Sequence, residues 1–304
     1  MTTRHTNASQ ATLVLGGTGK TGRRVVDRLT ARGYLVRVGS RSRTPAFDWD
    51  DRATWPAALR DTGAAYINYY PDLGMPGAAK QVGAFVTLAL EHGVRRLVLL
   101  SGRGEQEAQH TEELLRSSGA NWTIVRASWF AQNFSESFMA DSLRAGELVL
   151  PAGDIGEPFV DADDIADVAA VALTEDGHVG KLYEVTGPRL LTFAEAVHEI
   201  SRATGRDIRY VQISRMDFST ALAEQGLPTD VASLLNYLFD TALDGRNASL
   251  SDGVQRALGR EPRDFAEYAR NAAAAGAWTP PNTTEDVHLG HAASPGDLYP
   301  LTAP

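Results

Sequence analysis

The apolar run Ala11-Thr12-Leu13-Val14-Leu15 passes without a break into Gly16-Gly17-Thr18-Gly19-Lys20-Thr21-Gly22, and an amphipathic stretch begins at once. This strand–glycine loop–helix order constrains the fold more than any other feature of the chain. Gly16, Gly19 and Gly22 fit G-x-x-G-x-x-G, and Gly17, Gly19 and Gly22 also fit G-x-G-x-x-G. Glycines permit the tight turn and let backbone N–H groups approach a pyrophosphate. The last one lets the helix pack close to the strand, and the helix N-terminus favours the negative charge. A glycine-rich turn without a ligand would show the same glycines, but the flanking strand and helix are the context that marks a dinucleotide site. Gly19-Lys20-Thr21 resembles the end of a P-loop, yet the glycine required five residues before Gly19 is replaced by Val14, inside the strand.

Downstream, short apolar runs alternate with amphipathic segments, the pattern of a parallel sheet covered on both faces. The spacing predicts strands at 11–16, 35–39, 46–49 (a short one), 65–69, 96–101, 121–126 and 181–186, with helices at 22–32, 79–92, 105–117 and 161–174. The fold class expected is α/β, a Rossmann-type doubly wound parallel sheet with a smaller C-terminal α/β substrate lobe. Residues 11–186 read as the dinucleotide-binding domain and 187–278 as the lobe. In the lobe, Thr192 and Glu195 have capping-box spacing ahead of a helix at 193–204. A strand is expected at 208–213, and helices at 218–225, 232–240 and 264–275. The polar start, 1–10, and the Pro/Thr/Gly/Ala-rich end, 279–304, read as disordered.

Composition narrows the function classes. A net charge of −9 over 304 residues, with no Lys/Arg run, argues against nucleic acid and anionic membrane partners. The absence of cysteine excludes disulfides, thiolate catalysis and Cys-ligated zinc. No signal peptide or spanning segment is visible, so the expected location is cytoplasmic. No metal site is expected. Asp161, Asp163 and Asp164 open a helix, where carboxylates suit the dipole. His198 has Arg202 where a zinc protease would carry its second histidine.

The end of the second strand tells which dinucleotide. NAD-binding units usually place a carboxylate there for the ribose 2′-OH. This chain reads Val38-Gly39-Ser40-Arg41-Ser42-Arg43. Arg41 can pair bidentately with a 2′-phosphate, Ser40 or Ser42 can add a hydroxyl, and Lys20 or Arg43 can reinforce the field. The cofactor expected is NADP(H).

Beyond the glycine loop, several segments resemble the NmrA-like, isoflavone-reductase-like group of atypical short-chain dehydrogenases. They are Phe47-Asp48-Trp49, Arg96–Gly102, Trp122-Thr123-Ile124-Val125-Arg126, Phe130 to Asn133, Phe159–Ala172 and Gly259-Arg260-Glu261-Pro262. The resemblance runs from about Ala11 to Trp278. It implies that Asp48 and Trp49 lie near the adenine and that Tyr69, Tyr70 and Pro71 border the cofactor. It places Ser101 and Gly102 beneath the nicotinamide, and Trp129, Phe130 and Asn133 where substrate meets it. For Trp129 and Phe130, core packing is the equal alternative. The group's usual Tyr with a Lys four residues later is missing, since the only lysines are Lys20, Lys80 and Lys181. The family register puts Gln106 at the Tyr position and His110 at the Lys position of the isoflavone-reductase-like branch. His110 is then either a substitute proton donor or a surface histidine in a polar helix.

Two functions remain open at this stage. One is an NADPH-dependent reductase of a small apolar carbonyl, enone or quinone, with Phe218, Leu222, Leu234, Leu235, Tyr237, Leu238 and Phe239 available to line a pocket. The other is an NADP(H)-binding redox sensor without turnover, which the missing Tyr/Lys pair favours. Oligomeric state is left open.

Overall fold

The computed structural model describes residues 10–224 and 229–280. Six parallel strands make the central sheet. They are β1 (Ala11–Leu15), β2 (Val36–Gly39), β3 (Thr62–Ile67), β4 (Arg96–Gly102), β5 (Asn121–Ala127) and, from later in the chain, β7 (Lys181–Val185), in the order β2-β1-β3-β4-β5-β7. The chain leaves β1 for one edge and returns on the other side of it, so the topological switch point lies between β1 and β3. Ligands of open α/β sheets bind beyond the strand ends at such a point.

Alternation along each strand feeds two cores. Leu13, Leu15, Leu97 and Leu99 face one side with α2 (Trp55–Leu59), α3 (Ala78–Glu91) and α4 (Gln106–Ser117). Val14, Val98, Leu100 and Val125 face the other with α1 (Lys20–Ala31) and α6 (Ala162–Thr174). Alanine at 162, 166, 169, 170 and 172, all buried, keeps α6 narrow and lets α1 lie close beside it. Each fully buried Leu, Val or Phe contributes roughly 1.5–3 kcal/mol over an exposed one, so these faces dominate the sheet's stability.

A third core belongs to the lobe. It contains α7 (Phe193–Thr204), α8 (Arg215–Glu224), α9 (Thr229–Tyr237) with its π-helical extension Leu238–Ala242, and α11 (Phe265–Ala274). The expected capping box at Thr192/Glu195 is formed in both directions. The lobe's two-stranded parallel sheet pairs β8 (Arg209–Gln212) with β6 (Glu147–Leu150), which follows α5 (Met139–Ala145). The lobe is therefore assembled from two stretches of chain, one of them upstream of residue 187. A short α10 (Gly253–Leu258) packs back on β7.

The strand expected at 46–49 is not formed. Phe47 and Trp49 instead point into an aromatic cluster with Trp55, Tyr69 and Phe85, and Trp49 Nε1 donates to the Asn68 carbonyl at 3.1 Å. The alternation that suggested a strand serves a buried loop. The expected disordered start falls outside the described residues except Gln10, and the expected tail does so beyond Pro280. Trp278 itself is buried, with its indole N–H on the Phe134 carbonyl. Among the described residues no helix is long and apolar enough to cross a membrane.

Candidate active site

The glycine loop folds as its sequence demands. Gly16 takes a left-handed φ of 61°, and its N–H donates to the Gly39 carbonyl while its own carbonyl accepts from Gly19. A Cβ on Gly22 would stand 2.1 Å from the Gly16 carbonyl oxygen, so only glycine lets the first turn of α1 press on the loop. Gly19 is the N-cap, and no side chain caps the helix. The N–H groups of that turn thus point out of a 12-residue helix with the positive end of its dipole. Thr18 is exposed at the tip of the loop, and Thr21 is buried, accepting from the Tyr66 hydroxyl at 3.0 Å and the Asn68 amide at 3.2 Å.

Lys20 does not reach toward the end of β2. Its side chain is buried and its ammonium donates to Asn133 Oδ1 at 2.7 Å, tying the loop to the turn after β5. Burial lowers its pKa to about 7, against the opposing pull of Glu136. Asn133 is itself wholly buried, and its Nδ2 has no hydrogen-bond partner among the described residues. An orphaned amide donor beside a glycine loop suits a ligand oxygen.

At the end of β2, Ser40 and Ser42 place their hydroxyls 3.2 Å apart, and Arg41 is exposed with its guanidinium 5.8 Å from the centroid of the Tyr70 ring. The Arg41/Tyr70 pair frames the edge expected for a 2′-phosphate and adenine. Asp48 is taken up locally, accepting from the Asp50 N–H at 3.1 Å, and Trp49 is core.

Beyond the ends of β3, β4 and β5 lies a cavity. Asn68, Tyr69, Ser101, Gly102, Trp129 and Phe130 line it, and Leu238, Leu243 and Asn247 of the lobe cover it. Trp129 and Phe130 are at once core and wall. Both are buried, Trp129 packs on Phe193 and Phe239, and its indole N–H has no partner among the described residues. Ser101 is engaged beneath the cavity, donating to Glu112 at 2.7 Å, and Glu112 is held by Arg126. Of the lobe residues expected to form a pocket, Leu238 reaches this cavity. Phe218, Leu222, Leu235 and Phe239 are lobe core.

His110 is not brought to the cavity. It is exposed on α4 and lines a separate groove with Gln106, Met75, Leu234 and Tyr237. The acids that do line the cavity are Asp72, Glu105 and Glu157, and sequence reasoning missed all three. Burial raises Glu157 to about 7, opposed by the Trp129 backbone N–H and Arg103. Glu105 is raised well above the usual carboxylate range by burial and then by Asp72, which burial raises in turn. One signal was available. Glu105 occupies the N-cap of α4, where short polar side chains are preferred, and makes no capping bond. A long acid at a cap that it does not serve points elsewhere.

Comparison with known proteins agrees with this architecture. A profile of the NmrA-like family matches residues 107–269. An NAD(P)H azoreductase of Xenophilus azovorans is 34% identical over 86% of this chain and 98% of its own. An agroclavine dehydrogenase of Claviceps fusiformis is 31% identical over 84% and 95%. Among solved structures, an NADPH-dependent quinone oxidoreductase from Escherichia coli, complexed with NADPH, superposes with a TM-score of 0.72 at 24% identity, covering 86% of this chain and 99% of that one. By family profile and by identity over nearly its whole length, the chain belongs to the NmrA-like family.

Proposed function

We propose that the protein is an NADPH-dependent reductase of a small apolar carbonyl, enone, quinone or azo compound. The observation that carries this reading is the continuity of the uncapped glycine loop, the Arg41 edge and the covered cavity along one line of strand ends. NADP(H) fits the residues present. The loop from Gly16 to Gly22 would take the pyrophosphate, with Asn133 Nδ2 a further donor in reach of the loop. Arg41, with Ser40 and Ser42, would take the 2′-phosphate, Tyr70 the adenine side, and Ser101 and Gly102 the nicotinamide side. When bound, the cofactor supplies a hydride. The protein's share is to position the acceptor against Trp129 and Phe130, to exclude water with the lobe, and to supply a proton. The azo, clavine and quinone chemistry in the relatives' names supports a reductive role on flat, conjugated compounds.

NADPH oxidation followed by absorbance against naphthoquinone, an enone and an aromatic azo dye tests the reading. Turnover of at least one is expected. NADPH binding with no turnover of any acceptor would instead favour a cofactor sensor.

Cofactor preference gives a second expectation. Arg41 stands where a carboxylate would select NAD(H), and its exposed guanidinium is free to swing from the Tyr70 ring to a phosphate. Charge-assisted bonds to the 2′-phosphate contribute about 1.5–3 kcal/mol, so Arg41→Ala should weaken NADPH about tenfold or more and leave NADH nearly unchanged. Calorimetric titration of both cofactors into both proteins checks it. Equal affinity of the unaltered protein for NADPH and NADH would refute the assignment.

A further inference from the structure

The wall of the cavity holds a pair of buried carboxyl groups that no structural duty explains. Asp72 lies in the loop after β3 and Glu105 at the start of α4, 3% and 5% exposed. They converge on the same point. A Cβ built on Gly74 would stand 2.4 Å from Glu105 Oε2 and 3.1 Å from Asp72 Oδ1. On its other side the Glu105 carboxyl is pressed against Gly102, at the end of β4, where a Cβ would stand 2.1 Å from Glu105 Oε1. Two glycines make room for one carboxyl, and one of them ends the strand under the expected nicotinamide position.

Asp72 is anchored, accepting from the Gly74 N–H at 2.7 Å. Among the described residues, Glu105 Oε2 has no donor to accept from. Two ionised carboxylates cannot bond to one another, and desolvating both would be prohibitive. A proton on Glu105 removes both difficulties. The acid then donates to Asp72, and the pair carries one negative charge in place of two. Among the described residues, the surrounding groups do not supply an alternative counter-ion. Arg103 is committed to Glu184, the Asn247 and Ser249 carbonyls and the Ser249 hydroxyl. Tyr237 of α9 faces the pair; burial and then the neighbouring acid pair push its phenol up, while the Gln106 backbone and Arg246 oppose. Glu157 enters from the segment before α6, and the Glu112–Arg126 pair lies beneath Ser101.

We propose that Glu105 is the proton donor of this reductase and that Asp72 is the positioning residue that keeps the proton on it. This rests on the reductase reading above. The reaction adds the elements of H2 across a C=C, C=O or N=N bond. One atom gains a hydride, with two electrons, from the reduced cofactor, which is left oxidised. The neighbouring atom gains a proton from Glu105. Glu105, now a carboxylate, recovers its proton from solvent. The tyrosine that the family register would put at Gln106 is thereby replaced by a carboxylic acid one residue earlier, at the N-cap of α4, rather than by His110.

Two variants test the assignment with an aromatic azo dye as acceptor. Glu105→Gln keeps the shape and cannot donate an acid proton, so kcat should fall about 10²–10⁴-fold, while NADPH affinity by fluorescence titration stays unchanged. The protonated acid is the active form, so the unaltered protein should lose rate as pH rises through the raised value of the pair. Glu105→Gln should show no such limb. Asp72→Asn removes the neighbouring charge and offers a donor to Glu105, both of which lower the Glu105 pKa. Its rate limb should therefore move to lower pH, with activity recovering in acid, which a purely structural role would not produce. Infrared difference spectra against pH give a reading independent of turnover. A carboxylic-acid C=O band should persist above the usual carboxylate range in the unaltered protein, and the part of it that Glu105 supplies should vanish in Glu105→Gln. A Glu105→Gln variant with the rate and pH profile of the unaltered protein would overturn the donor and leave the reductase standing. Unaltered protein that binds NADPH but reduces no acceptor would overturn both.

Discussion

Gly19→Val is expected to give a folded protein that no longer holds NADPH. The backbone at this N-cap is extended, with φ −86° and ψ −173°, a conformation that valine adopts without strain. The hydrogen bond from its N–H to the Gly16 carbonyl at 2.9 Å can also persist. A branched side chain there stands in front of the first turn of α1, where the free N–H groups would meet the pyrophosphate. Losing two charge-assisted bonds at about 1.5–3 kcal/mol each weakens binding by roughly 10²–10⁴-fold. Gly22→Val makes the useful contrast. Its Cβ would meet the Gly16 carbonyl at 2.1 Å, so stability and binding should fall together. Fluorescence titration alongside thermal melting separates the two cases. A Gly19→Val protein that still binds NADPH tightly would reduce the loop to a turn.

Asp164→Ala should cause the largest loss of stability outside the hydrophobic cores. Asp164 is fully buried in the first turn of α6, and it accepts from the Arg263 N–H at 2.7 Å, from Arg260 at 2.7 Å and from the Arg263 guanidinium. Asp167, one turn on, binds the same two arginines and Arg28 of α1. One pair of aspartates thus joins both halves of the nucleotide domain to the strap that leads into α11. Removing one partner of a buried ion pair typically costs about 3–5 kcal/mol. Arg260 and Arg263 are 38% and 29% exposed and can turn to water, so about 2–4 kcal/mol is the better expectation here. Urea unfolding should show a lower midpoint with an unchanged slope. An unaltered midpoint would mean that the cluster is a solvated surface network.

The same segment shows how far the sequence could be read. The run Phe159–Ala172 looked like a helix opened by carboxylates, and Asp161 does cap α6 through the Asp163 N–H. That Asp164 turns inward to arginines almost a hundred residues away is a tertiary fact with no local signature. The glycine loop and the parallel strands were legible because their information is local, in the backbone freedom of glycine and in apolar runs of strand length. Phe47 and Trp49 misled for the same reason, since period-two alternation describes a buried loop as well as a strand. β6 and α5 were too short to stand out, and they join the lobe only because β8 arrives to pair with β6.

The cavity divides along the same line. Ser101, Trp129 and Phe130 could be placed from their positions at strand ends, where α/β sheets bind ligands. Lys20 and Asn133 were picked out separately, as a phosphate neighbour and a substrate contact, but their mutual hydrogen bond was not foreseeable. Asp72, Glu105 and Glu157 come from three separate segments and look like ordinary surface acids until the fold buries them together. His110 was a candidate donor because imidazole titrates near neutral pH, with a surface histidine as the alternative; it is exposed, since helix register alone does not fix which face of α4 meets the cavity.

Deuterium transfer tests the central claim most directly. NADPH labelled at the hydride position of the nicotinamide, incubated with the protein and an enone, should yield a saturated product carrying one deuterium on carbon by mass spectrometry. Gly19→Val, unable to hold the cofactor, should yield none. Recovery of unlabelled enone and intact labelled NADPH, with naphthoquinone and the azo dye likewise unreduced, from protein shown by titration to have bound the cofactor, would contradict the account of this chain as a reductase.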